Sequence, residues 1–147
     1  MNTLATHLIR LAESLRIFVY DDATGEPIKP GSVVKGHPTI GYGRALDVDG
    51  ITEDEAIYLE TNSQHEIEYV LGAYHWWSSL NEARQAVLID MAYNMGTTEL
   101  FHFVEMIKAL ERGDWNGASD AMLQSEWARE VPIRAQRDAK IMRDGTI

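Results

Sequence analysis

The sequence predicts an α+β fold, with a small sheet near its front and helices through the remainder. Three observations carry that expectation. Leucines recur at helical spacing up to residue 15. A β-branched and aromatic run, Ile17-Phe18-Val19-Tyr20, is answered by Thr39-Ile40-Gly41-Tyr42-Gly43. After Thr52, helix start and stop signals follow one another to the end of the chain. At 147 residues the chain is long enough to bury a core of its own as one domain.

Leu4, Leu8, Leu11 and Leu15 predict an amphipathic helix over about 3–13, with Glu13 at its C-terminal edge. A strand from Ile17 to Tyr20 should then run into turn chemistry at Asp21-Asp22-Ala23-Thr24-Gly25. Pro27, Pro30, Gly31, Gly36 and Pro38 mark a loop, and Thr39 to Gly43 is the returning strand. Thr52-Glu53-Asp54-Glu55 matches a capping box, opening a long helix over about 52–72 that carries Ala56, Leu59, Ile67, Val70 and Leu71. Further helices are expected over about 81–95, about 100–112 before Gly113, and about 115–124. A last one starts at Pro132, a favoured first helical residue, and stops near Gly145. The expected layout is a single domain over 1–147: a β-rich lobe over about 14–51, a connecting helix over about 52–72, and a helical lobe over about 73–147 that takes in the helix 3–13. The cleft between the lobes is the default binding site.

Composition removes several function classes. There is no cysteine, hence no disulfide, thiolate metal site or cysteine nucleophile. The formal charge is −10, and Asp47, Asp49, Glu53, Asp54, Glu55, Glu60, Glu66 and Glu68 follow one another with no Lys or Arg between Arg44 and Arg84. That field opposes nucleic acid binding, and its plainest reading is a solvated helix face. The first ten residues lack the basic start and apolar stretch of a signal peptide, and no run approaches the roughly eighteen apolar residues of a membrane span. His7, His37, His65, His75 and His102 are scattered without metal-ligand spacing, and neither a nucleophile elbow nor a phosphate loop is present, so no metal and no cofactor is expected.

The stretch Glu13-Ser14-Leu15-Arg16 through Tyr20 to Asp22, followed by Thr39-Ile40-Gly41-Tyr42-Gly43-Arg44, resembles the glutamate, aspartate and threonine signature of the phage-type lysozyme or endolysin family of glycoside hydrolases. The resemblance continues through Ala83-Arg84, Asp90-Met91-Ala92-Tyr93-Asn94-Met95-Gly96, Phe103, Trp115, Ser125-Glu126-Trp127 and Pro132-Ile133-Arg134-Ala135-Gln136-Arg137. Each motif alone is weak; in order they cover nearly the whole chain. Three features depart from the family pattern. Sixteen residues separate Asp22 from Thr39, leaving the placement of the loop over 23–38 open; Arg44 stands where a histidine is common; and the chain is strongly acidic.

The resemblance implies a lysozyme-like fold and a muramidase cleaving the bond between N-acetylmuramic acid and N-acetylglucosamine in peptidoglycan. Glycoside hydrolysis needs a proton for the leaving oxygen and a carboxylate that supports the cationic centre or activates water. By similarity Glu13 is the acid, Asp22 orients or activates the water, and Thr39 holds that water, which favours inversion at the anomeric carbon. Taken alone, Glu13 reads as a surface carboxylate paired with Arg16 or Arg10, and Thr39 as a residue of high strand propensity. Asp21 and Asp22 compete for one role, since neighbours on a strand point to opposite faces; the resemblance, with its interval from Glu13, implies Asp22 and leaves Asp21 as a turn or solvent residue. Tyr93, Asn94 and Phe103 are implied sugar contacts, with core packing as the alternative, especially for Phe103, and Trp76, Trp77, Trp115 and Trp127 are expected in the core or closing the lobes. Arg134 resembles an arginine packed against the catalytic glutamate. Because a cation favours the ionised acid, burial or repulsion from Asp22 must offset it, and Arg134 is expected to be structural.

The partners implied are peptidoglycan glycan strands, with no nucleic acid and no membrane insertion, engaged by a monomer. As an endolysin it would wait in the host cytoplasm for a membrane pore; a tail-associated lysozyme has the same chemistry. A lytic transglycosylase, which needs one acid and uses the sugar's own hydroxyl, and a non-catalytic wall-binding or virion-structural relative are the competing readings.

Overall fold

Asn2 starts the first helix: its side-chain oxygen accepts from the amides of Leu4 and Ala5 at 3.1 Å, satisfying donors that an opening turn leaves without partners. The computed structural model describes residues 2–147, in which this helix, α1, spans Thr3–Ala12. Glu13 ends it. Its backbone is extended, while its N–H still donates to the Ile9 carbonyl at 2.8 Å.

Three antiparallel strands follow in the order β1 (Arg16–Asp21), β2 (Pro38–Gly41) and β3 (Arg44–Ala45). Arg16 pairs with Gly41, Tyr20 with Thr39 and Asp21 with Pro38, with an irregularity between Arg16 and Tyr20; Thr39 also pairs with Ala45 on β3. The sequence predicts one returning strand to Gly43. The chain instead turns at Tyr42-Gly43, with Gly41 at φ +69° and Gly43 at φ +85°, and the two-residue β3 is too short to leave an alternating pattern.

The loop over 23–38 is placed by its own turns. The Asp21 N–H donates to the Glu26 carbonyl and the Ile28 N–H to the Val19 carbonyl, so the loop first runs back beside β1. Lys29-Pro30-Gly31-Ser32 reverses it: Ser32 N–H donates to the Lys29 carbonyl at 2.9 Å, with proline and positive-φ glycine (+86°) where a type II turn wants them. The expected capping box forms, Thr52 Oγ1 accepting from the Glu55 amide while Glu55 Oε2 accepts from the Thr52 amide at 2.8 Å. It opens α2 (Glu53–Gly72).

The chain divides into two compact units, Met1–Ile57 and Tyr58–Ile147, and α2 runs from one into the other. The sequence groups the N-terminal helix with the helical lobe; here α1 falls with the sheet.

The second unit continues α2 with α3 (Glu82–Met95), α4 (Thr97–Leu100), α5 (Val104–Glu111), α6 (Trp115–Leu123), α7 (Glu126–Glu130) and α8 (Pro132–Asp144), plus a 3-10 turn over Trp77–Ser79. Leu71, Leu88, Met91, Leu100, Met106, Leu110, Met122 and Met142 are fully buried at its centre. Trp76 and Trp127 are buried as expected, whereas Trp77 and Trp115 are half-buried. Ala118, Ala135 and Ala139 are buried where α6 meets α8, and small side chains there let the Ser119 hydroxyl reach the Ala139 carbonyl at 2.7 Å. Asn81 caps α3, and its amide also donates to the Gly145 carbonyl; Arg84 lies over the Trp115 ring at 4.4 Å and donates to the Met142 and Arg143 carbonyls, closing the end of α8.

The helix expected over about 100–112 is two helices. Phe101 and Phe103 both pack against the core, and residues two apart on a helix face different directions, so the chain leaves helical geometry between them. The short α7 also escaped the sequence reading, although Ser125 caps it by accepting from the Ala128 amide at 3.1 Å.

One core position carries a charge. Asp138 on α8 is 1% exposed; its Oδ1 accepts from Arg137 Nε at 2.7 Å and its Oδ2 has no protein partner. Arg137 also bonds Asp90 on α3 at 2.7 Å. Burial, aided by the neighbouring Asp90 and opposed by Arg137, pushes the Asp138 carboxyl up to about 6. Between pH 4 and 6 the unfolded chain therefore releases a proton that the folded chain keeps, and stability falls as pH rises through that window. Relative to wild type, Asp138→Asn should gain stability as pH rises from 4 to 7, with the difference closing towards pH 4 in urea unfolding.

Candidate active site

Glu13, Asp22 and Thr39 all belong to the first unit. Glu13 leaves the end of α1 towards the turn between β2 and β3. A Cβ added to Gly43 would sit 3.3 Å from Glu13 Oε2, so the missing side chain, together with its positive φ, is what lets the hairpin lie against this carboxylate. Neither arginine that the sequence offers Glu13 pairs with it among the described residues. Arg10 lies over the Tyr42 ring at 5.3 Å, tying α1 to the same turn, and Arg16 lies over Tyr20 at 4.2 Å while donating to the Gly25 carbonyl at 2.7 Å.

Thr39 is 3% exposed, and its hydroxyl donates to the His37 carbonyl at 3.0 Å. The hydroxyl proton is thereby committed, and the oxygen can meet another group only as acceptor. Asp22, just past β1, is exposed. Its Oδ1 accepts from the His37 amide at 2.7 Å, and its own N–H donates to the His37 carbonyl at 3.2 Å. One residue between Gly36 and Pro38 thus touches both Asp22 and Thr39 through its backbone. The His37 ring meets Asp47 at 3.0 Å and 3.2 Å, and this carboxylate, with Asp22 at longer range, raises the imidazole above its ordinary range.

Asp21 has a different fate from its neighbour. It is buried, its Oδ1 accepting from the amides of Ala23 (3.0 Å) and Gly36 (2.9 Å) and its Oδ2 from Lys35 (2.8 Å). The Lys35 amide does most to hold this carboxyl below its usual range, and the other amides add to it against burial. The expected turn role for Asp21 is met, but not solvent exposure.

Arg44, where the resembled family commonly has histidine, bonds Glu55 Oε2 at 2.8 Å and the Gly50 carbonyl at 3.0 Å, linking the hairpin to the start of α2. The Thr52 amide is the first cause that lowers the Glu55 carboxyl, with Arg44 adding to it.

Tyr93, Asn94, Phe103 and Arg134 lie in the second unit. Tyr93 is half exposed and lines a groove of about 520 Å³ with Ser63, Glu66 and Thr97. Phe103 lines another, of about 530 Å³, and meets Trp127 edge-on at 6.3 Å. Asn94 Oδ1 accepts from Trp127 Nε1 at 2.8 Å. Arg134 bonds Asp90 through Nε at 3.2 Å, an ion pair within the helical unit.

The sequence missed Gly36, His37 and Asp47. Gly36 marks the loop in the sequence but has ordinary φ, and its need for glycine shows only in space, because a Cβ there would overlap Asp22 Oδ1 and Ala23.

Comparison with known proteins agrees with the α+β architecture. A family model described as Phage lysozyme matches residues 12–138, and the chain belongs to that family. Its fold is accordingly lysozyme-like. Among its relatives, the pre-baseplate central spike protein Gp5 of Enterobacteria phage T4 is 27% identical over 164 aligned positions, covering 99% of this chain and 28% of that protein. Probable T4-type lysozymes 1 and 2 of Dictyostelium discoideum are 27% and 25% identical over 71 positions, covering 48% of this chain and 42% of each. The chain thus spans less than half the length of each of these relatives. Among the described residues no helix is long and apolar enough to cross a membrane.

Gly36→Ala should push the Asp22 side chain off the His37 amide. The expected result is a large change in the Asp22 and His37 amide resonances with the α3 resonances unmoved; an unchanged Asp22 amide would show that the loop absorbs the methyl elsewhere.

Proposed function

We propose that this chain is a muramidase that hydrolyses the glycosidic bond between N-acetylmuramic acid and N-acetylglucosamine in peptidoglycan glycan strands. The observation that carries the reading is the arrangement of Asp22 and Thr39 about His37, with Glu13 lying against the turn that follows β2, in a chain of the Phage lysozyme family. Glu13 is the general acid that gives its proton to the leaving oxygen. Asp22 keeps Oδ2 clear of protein donors among the described residues, and Thr39 Oγ1 can only accept. A water can therefore donate one hydrogen to each, which turns a lone pair towards the anomeric carbon. As the bond breaks, the water's proton passes to Asp22, and solvent then resets both carboxyls. This arrangement favours attack by water itself, hence inversion, over a transglycosylase that uses the sugar's own hydroxyl.

In this reading Tyr93 offers an exposed ring to a sugar face and Asn94, its carbonyl held by Trp127, offers its amide hydrogens to an acetyl oxygen. Phe103 chiefly packs against Trp127, and Arg134 is structural support through Asp90. The protein works as a monomer and reaches the wall from the host cytoplasm once a membrane pore opens. The match of 99% of the chain to a part of a central spike protein favours a second placement, a lysozyme carried on the virion.

Two outcomes are expected in digests of purified peptidoglycan read by mass. Wild type releases reducing muropeptides, while folded Glu13→Gln loses about 10²- to 10⁴-fold in kcat, with Asp22→Asn and Thr39→Val also impaired; anhydro products would move the chain to the transglycosylases, and no product from wild type would leave a wall-binding role. The net charge of −10 repels an anionic polymer, so activity should rise from low to moderate salt as screening reaches about 8–10 Å. A monotonic fall from low salt upward would contradict that.

A further inference from the structure

His37 occupies a position that the proposed reaction does not use directly. Its amide holds Asp22 Oδ1, its carbonyl holds the Thr39 hydroxyl and the Asp22 amide, and its ring holds Asp47. Among the described residues, no other hydrogen-bonds the side chains of both proposed water-binding groups. The backbone is anchored on both sides of it: Asp21 grips the amides of Lys35 and Gly36 just before it, and Pro38, just after it, accepts from the Leu46 amide at 2.7 Å. The ring's contact with Asp47, in the segment that follows β3, adds an anchor at His37 itself.

We propose that His37 is a positioning residue for Asp22 and Thr39: the pair between its ring and Asp47 fixes the peptide groups that aim both of them at the attacking water. The proposal rests on the muramidase reading. Proton balance is simple. Below the ring's titration the imidazolium faces Asp47 with a full charge; above it, neutral imidazole keeps at most a hydrogen bond through Nδ1–H, and the clamp weakens without any change in the reacting groups. The charged groups that face the ring are Asp47 and, at longer range, Asp22, both of which favour the imidazolium; Lys35 lies two residues back, and Asp21 is engaged with backbone amides. Because the ring's pKa is raised by folding, the stabilisation is complete below the ordinary histidine range and is lost as pH rises through the folded value. His37 and Asp47 are about half exposed, so the effect is that of a surface pair: about fivefold at most, expressed through geometry.

The test compares wild type, Asp47→Asn and His37→Arg by kcat and KM on peptidoglycan across pH, alongside NMR titration of the His37 ring and the Asp22 and Thr39 amides. In wild type the alkaline fall in kcat and the movement of both amides should share the ring's midpoint. In Asp47→Asn the ring midpoint and the kcat limb should move together to lower pH, with kcat above neutrality reduced about three- to fivefold and KM unchanged. His37→Arg, a permanent cation, should keep kcat on the alkaline side. A ring midpoint that moves in Asp47→Asn while the kcat limb stays in place overturns the proposal and leaves the muramidase reading standing. If wild type releases no saccharide, that reading fails by itself; amides of Asp22 and Thr39 that follow the ring then still support the clamp, and amides that ignore it overturn it.

Discussion

The first unit depends on one buried carboxylate. Asp21 gathers three backbone amides, one from the turn it opens and two from residues fourteen and fifteen positions on. Closing a loop of that length costs chain entropy, and a loop made largely of polar residues, glycine and proline cannot recover it through apolar burial. A charged acceptor with all its bonds made inside the protein can. By holding Lys35 and Gly36, Asp21 brings the chain back at the height of β1's end, where His37 meets Asp22. The register of Asp21 against Pro38 and Tyr20 against Thr39 then follows. Removing this carboxylate would release the long loop and, with it, the geometry of the candidate site.

Adjacent aspartates divide the labour because a strand sends neighbours to opposite sides. Asp21 turns inward and has its acceptor sites taken by amides; Asp22 turns outward with one oxygen on a single amide and the other clear. A carboxylate already holding three donors has little capacity left to orient a water, whereas one steadied at a single oxygen is both fixed and available. The family resemblance picks out Asp22 in the sequence, and the role proposed for it rests on this difference in bonding.

Much of the architecture was legible because local chemistry set it. The Thr52 to Glu55 capping box, the stop after Met95 at Gly96, and Pro132 opening α8 with Gly145 closing it are short-range signals that tertiary packing left intact. What stayed hidden was set by contacts distant in sequence. The break between α4 and α5 reflects two phenylalanines claiming the same core, and β3 is a strand only because Thr39 and Ile40 lie beside it. The grouping of α1 with the sheet depends on Arg10 over Tyr42 and Glu13 against Gly43, two contacts without any periodicity. Of the candidate site, the sequence names Glu13, Asp22 and Thr39, while the close approach of Gly36 and His37 to Asp22 and of Asp47 to the His37 ring leaves no trace in it.

The acidity of the stretch after Arg44 also changes meaning once partners are known. A solvated face accounts for part of it. Asp47, however, meets a histidine, Glu55 meets Arg44 together with the Thr52 amide and hydroxyl, and Glu53 and Asp54 sit in the first turn of α2, where unpaired amides favour negative charge. Several of these carboxylates are thus fixed by the local requirements of a hairpin end and a helix start. Their sum is a field that pushes away an anionic polymer, yet each can be neutralised only at the expense of a specific contact. A chain built this way lowers its long-range repulsion more cheaply by adding cations at positions with no structural partner than by removing these acids.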